Sequence, residues 1–484
     1  MRRKYLGLAI ATVASLPVGG ILLAQSESPI SAADRTIVTN IAENSEEMQN
    51  LQFLTDKIGP RLNGTSNLKR ATDWAADRFK AYGLSNVHLE PFRMAHSWHR
   101  GSARASVTSP VNLPLLAEVA GWSPNTPGTV RGRAIYVNAN KEEDLAFYRG
   151  KLRGAIVLGS RPHPREQIAD NPLLPRPPEF RDPYPRKFRL KRDIFFREEG
   201  VLGVLRDSDK SFGLFDMDIA GMLYEVAPLP TVYLTPEGYD LIWRLIQDQQ
   251  FVAVELTVDG CIFSADPVEI YNVVGEIPGV GKPDETVILG AHLDSWDLGT
   301  GATDDGTGDV VVLEAARALR YLDLKPKRTI RFILFSGEEG GLNGSRAYVK
   351  AHSAELGKIS AMLEYDAGAG RVKAIQTQGQ GQLADMLNGV VAPLRQMIGL
   401  KELSLATEKG SDHYSFLEAG VPGFFCEQDR ATYSQTHHSQ ADTYDKVSGA
   451  DLINGAQVMA VFAYNVAELP DLLPRVPVSV DKKD

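Results

Sequence analysis

The side chains with the most chemical potential lie in the second half of the sequence, and they follow one pattern: an apolar run that ends in charge. Thr286 to Leu289 leads into His292 and Asp294, Thr329 to Phe335 into Glu338 and Glu339, and Ile359 to Leu363 into Glu364 and Asp366, while Asp304 and Asp305 follow the first run. Acids and an imidazole gathered in one cleft would repel one another and resist desolvation unless cations were bound. Imidazole with carboxylates and no thiolate suits zinc, with manganese or cobalt as alternatives. No His-Glu-x-x-His motif is present. Ligands scattered over several connections instead suit a two-metal site, in which one carboxylate bridges ions about 3.5 to 4 Å apart.

The elements that must position these groups read as alternating strand and helix. Helices are expected from about Thr307 to Leu322 and from Ser345 to His352, between the apolar runs read as strands. That alternation predicts an α/β fold with a mixed, mostly parallel sheet sandwiched by helices. Ligands in such sheets bind at the carboxyl ends of the strands, so acids distant in sequence are delivered to one edge. His292 and Asp294 are two residues apart and project to the same side of an extended chain, which lets Asp294 accept the second imidazole N–H from behind the metal. Glu338 and Glu339 are adjacent and point in opposite directions, so one is expected to ligate and the other to act as base. The last histidine must come from the segment 436–443, which holds the chain's only adjacent pair, His437 and His438.

Composition bounds the rest. The 484 residues allow two or three domains, and 43% apolar with 23% charged residues is ordinary for a globular chain. A net charge of −9 argues against a nucleic-acid partner. Cys261 and Cys426 permit at most one disulfide and no Cys-rich metal cluster. Arg2, Arg3 and Lys4 before the apolar run Leu6 to Ala24 read as an export signal over residues 1–24, leaving a secreted or periplasmic chain with no membrane span. Thr65 to Gly83 reads as a capped amphipathic helix. From roughly Leu115 to Leu256 the texture changes to short Val/Ile runs separated by Pro-, Arg- and Asp-rich loops such as Arg161 to Arg192, an inserted β-rich unit.

Several neighbours have plainer readings. Asp305 and Glu364 are expected to cap a helix or pair with a base rather than ligate. Ser411-Asp412-His413 lacks the Gly-x-Ser-x-Gly elbow of a hydrolase and is read as a helix start, with Ser411 or Asp412 as cap. His88, His96, His99, His163 and His352 are read as surface or packing residues.

The segments Ala291-His-Leu-Asp, Gly301-Ala-Thr-Asp-Asp-Gly, Ser336-Gly-Glu-Glu-Gly, Leu363-Glu-Tyr-Asp and His437-His-Ser-Gln-Ala-Asp-Thr, in that order, resemble the M28 zinc exopeptidases, and within them the carboxypeptidase Q branch. The resemblance implies that His292 and Asp366 bind one zinc, Glu339 and His438 a second, and that Asp304 bridges the two. It implies Glu338 as general base and His437 as a hydrogen-bond partner of the tetrahedral intermediate. It further implies a discontinuous catalytic domain over 35–114 and 262–475, a protease-associated (PA) domain over 115–261, short peptides as substrates and a homodimer. A glutaminyl-cyclase-type acyl transferase with a single zinc and a non-catalytic receptor on the same scaffold are the competing readings.

Overall fold

The computed structural model describes residues 31–162, 186–210, 212–222, 224–430 and 432–475. The expected export signal, His163 and most of the loop 161–192 lie outside them.

Eight strands form the catalytic sheet, in the order Ser85–Met94, Val268–Ile277, Arg328–Phe335, Lys282–His292, Ile359–Glu364, Gly423–Gln428, Val372–Gln376, Glu402–Ser404. Its four central strands, from Arg328–Phe335 to Gly423–Gln428, are mutually parallel; an antiparallel neighbour flanks each end of that set, and the outermost Glu402–Ser404 pairs parallel with Val372–Gln376. The expected α/β sandwich is what these elements build. Alternation along the strands sorts the two faces. Val287, Leu289, Ile330 and Phe332 share a core with the helices Thr307–Tyr321 and Gly449–Glu468, whereas Ile288, Ile333 and Met362 pack with Tyr348 and Phe416 from the helices Asn343–Ala351 and His413–Glu418. Strands buried on both faces explain why the sequence shows continuous apolar runs there instead of alternation.

The helix expected at Thr65 to Gly83 is Ser66–Ala81, capped by Thr65 through its side chain. The strand Lys282–His292 is longer than its apolar run, because Lys282 pairs with Arg328 beyond a register shift.

A second eight-stranded sheet runs Leu113–Leu115, Ser102–Ser109, Ala253–Asp259, Val130–Tyr136, Ile156–Leu158, Gly203–Asp207, Thr231–Leu234, Ala117–Val119. It differs from the expected insert in two ways. It recruits Ser102–Ser109 and Leu113–Leu115, ahead of residue 115. It also carries four consecutive parallel strands, with helices at Arg186–Glu198 and Pro236–Gln247 beside its eight strands. Part of the Pro/Arg-rich loop expected at Arg161 to Arg192 is thus the start of a helix, whose Phe188, Phe195 and Phe196 pack into a small core of their own. Cys261 and Cys426 are both buried and free.

Candidate metal centre

Strand order alone arranges the site. The parallel strand ends deliver, side by side, the Glu338–Glu339 turn, His292, Asp366 and the segment leading to His438, with His292 in register with Phe335 and Gly290 with Glu364. The loop carrying Asp304 crosses in front of them. It is tied down by Arg61, a fully buried guanidinium that donates to the carbonyls of Leu293 (2.6 Å), Thr300 (3.0 Å) and Gly301 (2.8 Å). Gly301 needs its missing side chain, since φ is +65° and a Cβ would lie 2.4 Å from Ser295. From the other side, Asp442 accepts from the Thr303 N–H (2.5 Å), and Thr300 N donates to the Asp442 carbonyl (2.7 Å).

Within this frame five expected ligands converge as two triads that share Asp304: His292, Asp304 and Asp366, and Asp304, Glu339 and His438. One Asp304 oxygen lies 3.4 Å from His292 Nε2 and the other 3.6 Å from His438 Nε2, while Asp366 is 3.6 Å from His292 Nε2. These separations exceed hydrogen-bond lengths. They match the edge of a tetrahedron whose ligands stand about 2.0 to 2.1 Å from a central zinc, roughly 3.3 Å. Asp304 Oδ2 is buried and has no hydrogen-bond partner among the described residues. The donor set and the orphaned oxygen therefore fit divalent metal, zinc included.

The titration balance says the same. Burial works against ionisation of Asp304, yet the imidazoles of His292, His437 and His438 hold its carboxyl well below the usual range. Burial first, and then neighbouring acids, pushes Glu338 and Glu339 well above it. For His292 burial opposes protonation, but Asp366 and Asp304 outweigh it and raise the imidazole. Negative charge is in excess around too few cationic partners, which divalent ions would correct.

Asp294 is present, though not in the expected contact. His292 Nδ1 donates to the backbone carbonyl of Asp294 at 2.9 Å, while the Asp294 carboxylate stands 3.7 Å away. The chain leaves the strand after His292, so the same-side rule for alternate residues no longer holds. The carboxylate instead accepts from the backbone N–H groups of Glu338 and Glu339, each at 3.2 Å, and from Asn63 Nδ2. It fixes the turn that presents both glutamates.

Asp305 caps the following helix by accepting from Gly308 N at 3.0 Å. Glu364 does neither of the expected things: it is fully buried, with no hydrogen-bond partner among the described residues. Asp412 precedes the helix His413–Glu418 but makes no side-chain cap, and burial pushes its carboxyl up to about 7. His88 and His352 both lie against Glu90, at 3.1 and 3.0 Å, so these two surface histidines have an acid between them.

Glu338, Glu339, Asp366, His437 and His438 line a cavity of about 690 Å³ whose opposite wall, with Arg206, Asp207 and Met217, comes from the second sheet and its loops. Burial, aided by the His438 ring stacked 3.7 Å away, pushes His437 down to about 4. Sequence reasoning missed Arg61, Asn63, Asp216, Met217 and Tyr224, because nothing in the local pattern of a single sequence tells that a loop far away in the chain closes over a strand end.

Residues 272–463 match the pattern of peptidase family M28. Carboxypeptidase Q of Bos taurus is 30% identical over 429 residues, 88% of this chain and 86% of that protein. The crystal structure of a peptidase M28 precursor from Shewanella amazonensis SB2B superimposes with a TM-score of 0.77 at 29% identity, covering 92% of this chain and 98% of that one. BSAP, a zinc aminopeptidase from Bacillus subtilis, shares the fold with a TM-score of 0.61 at 21% identity, over 86% of this chain and 93% of that one. Sheet, cleft and acid-imidazole cluster together define a metallopeptidase. The chain belongs to peptidase family M28.

Proposed function

We propose that the chain is an exported exopeptidase that hydrolyses the peptide bonds of short peptides with two zinc ions. The reading rests above all on Asp304, one oxygen toward each imidazole and one of them, Oδ2, without a hydrogen-bond partner among the described residues. His292 and Asp366 would hold one ion, Glu339 and His438 the other, with Asp304 shared. When bound, the ions supply Lewis acidity, favouring ionised water near neutral pH and polarising the scissile carbonyl.

The chain's own residues do the rest. Glu338, on the turn held by Asp294, takes the proton of the attacking water and passes it to the leaving amine. His437, neutral at working pH, lines the cavity where the tetrahedral oxyanion forms and donates a hydrogen bond to it. The cavity falls within the usual range for small-ligand sites, which favours short substrates. The division into a catalytic domain and a PA-type insert, the homodimer, and export through residues 1–24 belong to the same reading.

A matched peptide panel tests it: free dipeptides, N-blocked dipeptides, C-amidated dipeptides and longer peptides. Loss on N-blocking alone marks an aminopeptidase, loss on amidation alone a carboxypeptidase, and loss on both, with long peptides spared, a dipeptidase. Cleavage of doubly blocked peptides at internal bonds would contradict an exopeptidase.

A further inference from the structure

The two triads are supported differently. His292 is oriented by a carbonyl of its own loop, two residues away, within the catalytic sheet. His438 is oriented from the second sheet. Its Nδ1 lies 2.8 Å from the Met217 carbonyl, an acceptor only, so Nδ1 carries the proton and Nε2 is left with a lone pair toward Asp304 and Glu339. In return Met217 N donates to the His438 carbonyl at 3.0 Å.

The neighbouring residues continue the same seam. Lys210, nearly fully buried, donates to the His437 carbonyl and pairs with Asp216 at 3.3 Å, and Asp216 stands 3.8 Å from His437 Nδ1. The Gln440 side chain accepts from Phe215 N at 3.0 Å and donates to the Gly213 carbonyl at 2.8 Å. His438 itself has φ of +54°, a left-handed conformation that an L-residue holds only when its surroundings impose it. Trp296, at 5.8 Å between ring centroids, closes the other side of the imidazole.

We propose that the loop residues Lys210, Phe215, Asp216 and Met217 of the second sheet are a positioning element of the metal centre, and that occupancy of the Glu339/His438 position depends on them while occupancy of the His292/Asp366 position does not. The inference rests on reading His438 as a metal ligand. It makes the insert part of the metal centre and not only a wall of the substrate cavity.

Equilibrium zinc binding to the full chain, measured by competition with a chromophoric chelator, tests the asymmetry. Gln440→Ala and Lys210→Met each cut the seam without touching a ligand. Each is expected to weaken one of two zinc equivalents about 10- to 100-fold, the usual effect of losing support behind a ligand, and to leave the other unchanged. The retained equivalent also reports that the variant has folded. Lys210→Arg, which keeps the donor, is expected to restore binding, and His438→Ala to remove the same equivalent outright. Variants that hold both equivalents as the wild type does, or weaken both alike, overturn the inference and leave the two-metal reading standing. A wild-type chain whose zinc is indifferent to His438→Ala overturns both.

Discussion

Glu338 and Glu339 are chemically identical neighbours with different surroundings. Glu339 lies 2.9 Å from His438 Nε2 within a triad, whereas Glu338 stands 4.0 Å from His292 Nε2, outside both triads, and lines the cavity. A Glu338→Gln chain is therefore expected to keep its metal and lose roughly 10²- to 10⁴-fold in kcat, as measured by peptide hydrolysis beside elemental analysis. Retained turnover, or loss of metal, would reverse the roles of the pair. The gathering of acids and an imidazole was legible because such groups at strand ends are a chemical oddity that packing does not explain, but which five of them would ligate came only from the resemblance to the M28 zinc exopeptidases. The contact of Asp294 was not, since it depends on how the chain leaves the strand: the backbone carbonyl takes the imidazole and the side chain turns to the glutamate turn. Asp412 and Glu364 were misjudged for a related reason. Asp412 was read as a cap and Glu364 as a cap or the partner of a basic residue, yet both are buried beside the site.

The central strands Lys282–His292, Arg328–Phe335 and Ile359–Glu364 were readable as apolar runs ending in charge, and the helix boundaries agree with the expected ones within a few residues. The turns were not readable, because close approaches fix them. Gly340 is the sharpest case: a Cβ there would stand 1.9 Å from the hydroxyl of Tyr224, a buried residue of the second sheet's loop. Gly340→Ala is expected to cost about 1 to 3 kcal/mol, seen as a lowered Tm, and to reduce kcat beyond that because the same turn carries Glu338 and Glu339. An unchanged Tm would show that Tyr224 yields. The helix His413–Glu418 supplies a pH test. His413 is fully buried, donates through Nε2 to the Glu408 carbonyl at 3.1 Å, and is pushed down to about 4 by burial. Its native imidazole stays neutral where an unfolded one, with a pKa of about 6.5, takes up a proton, so stability is lost as pH falls from about 6.5 to 4, by up to about 3 kcal/mol. In urea unfolding of the metal-free protein, the stability advantage of wild type over His413→Gln should shrink by that order between pH 7 and pH 4. A constant advantage would mean that His413 titrates normally.

At the scale of the whole molecule, two sheets share one continuous apolar core and face each other across the cavity. A change of texture after Leu115 signalled the second unit, and its short Val/Ile runs fall on strands such as Ile156–Leu158 and Thr231–Leu234; what runs this brief did not show is that they pair in parallel. Why that unit should matter to chemistry is visible only in three dimensions, where Met217 meets His438 across 221 residues of chain. The account as a whole depends on two ions sharing Asp304. The most direct measurement is anomalous scattering at the zinc edge from crystals of the zinc-loaded chain. Two peaks about 3.5 to 4 Å apart are expected, one beside His292 and Asp366 and one beside Glu339 and His438, with Asp304 touching both. A single peak, or two that leave Asp304 out, would contradict it.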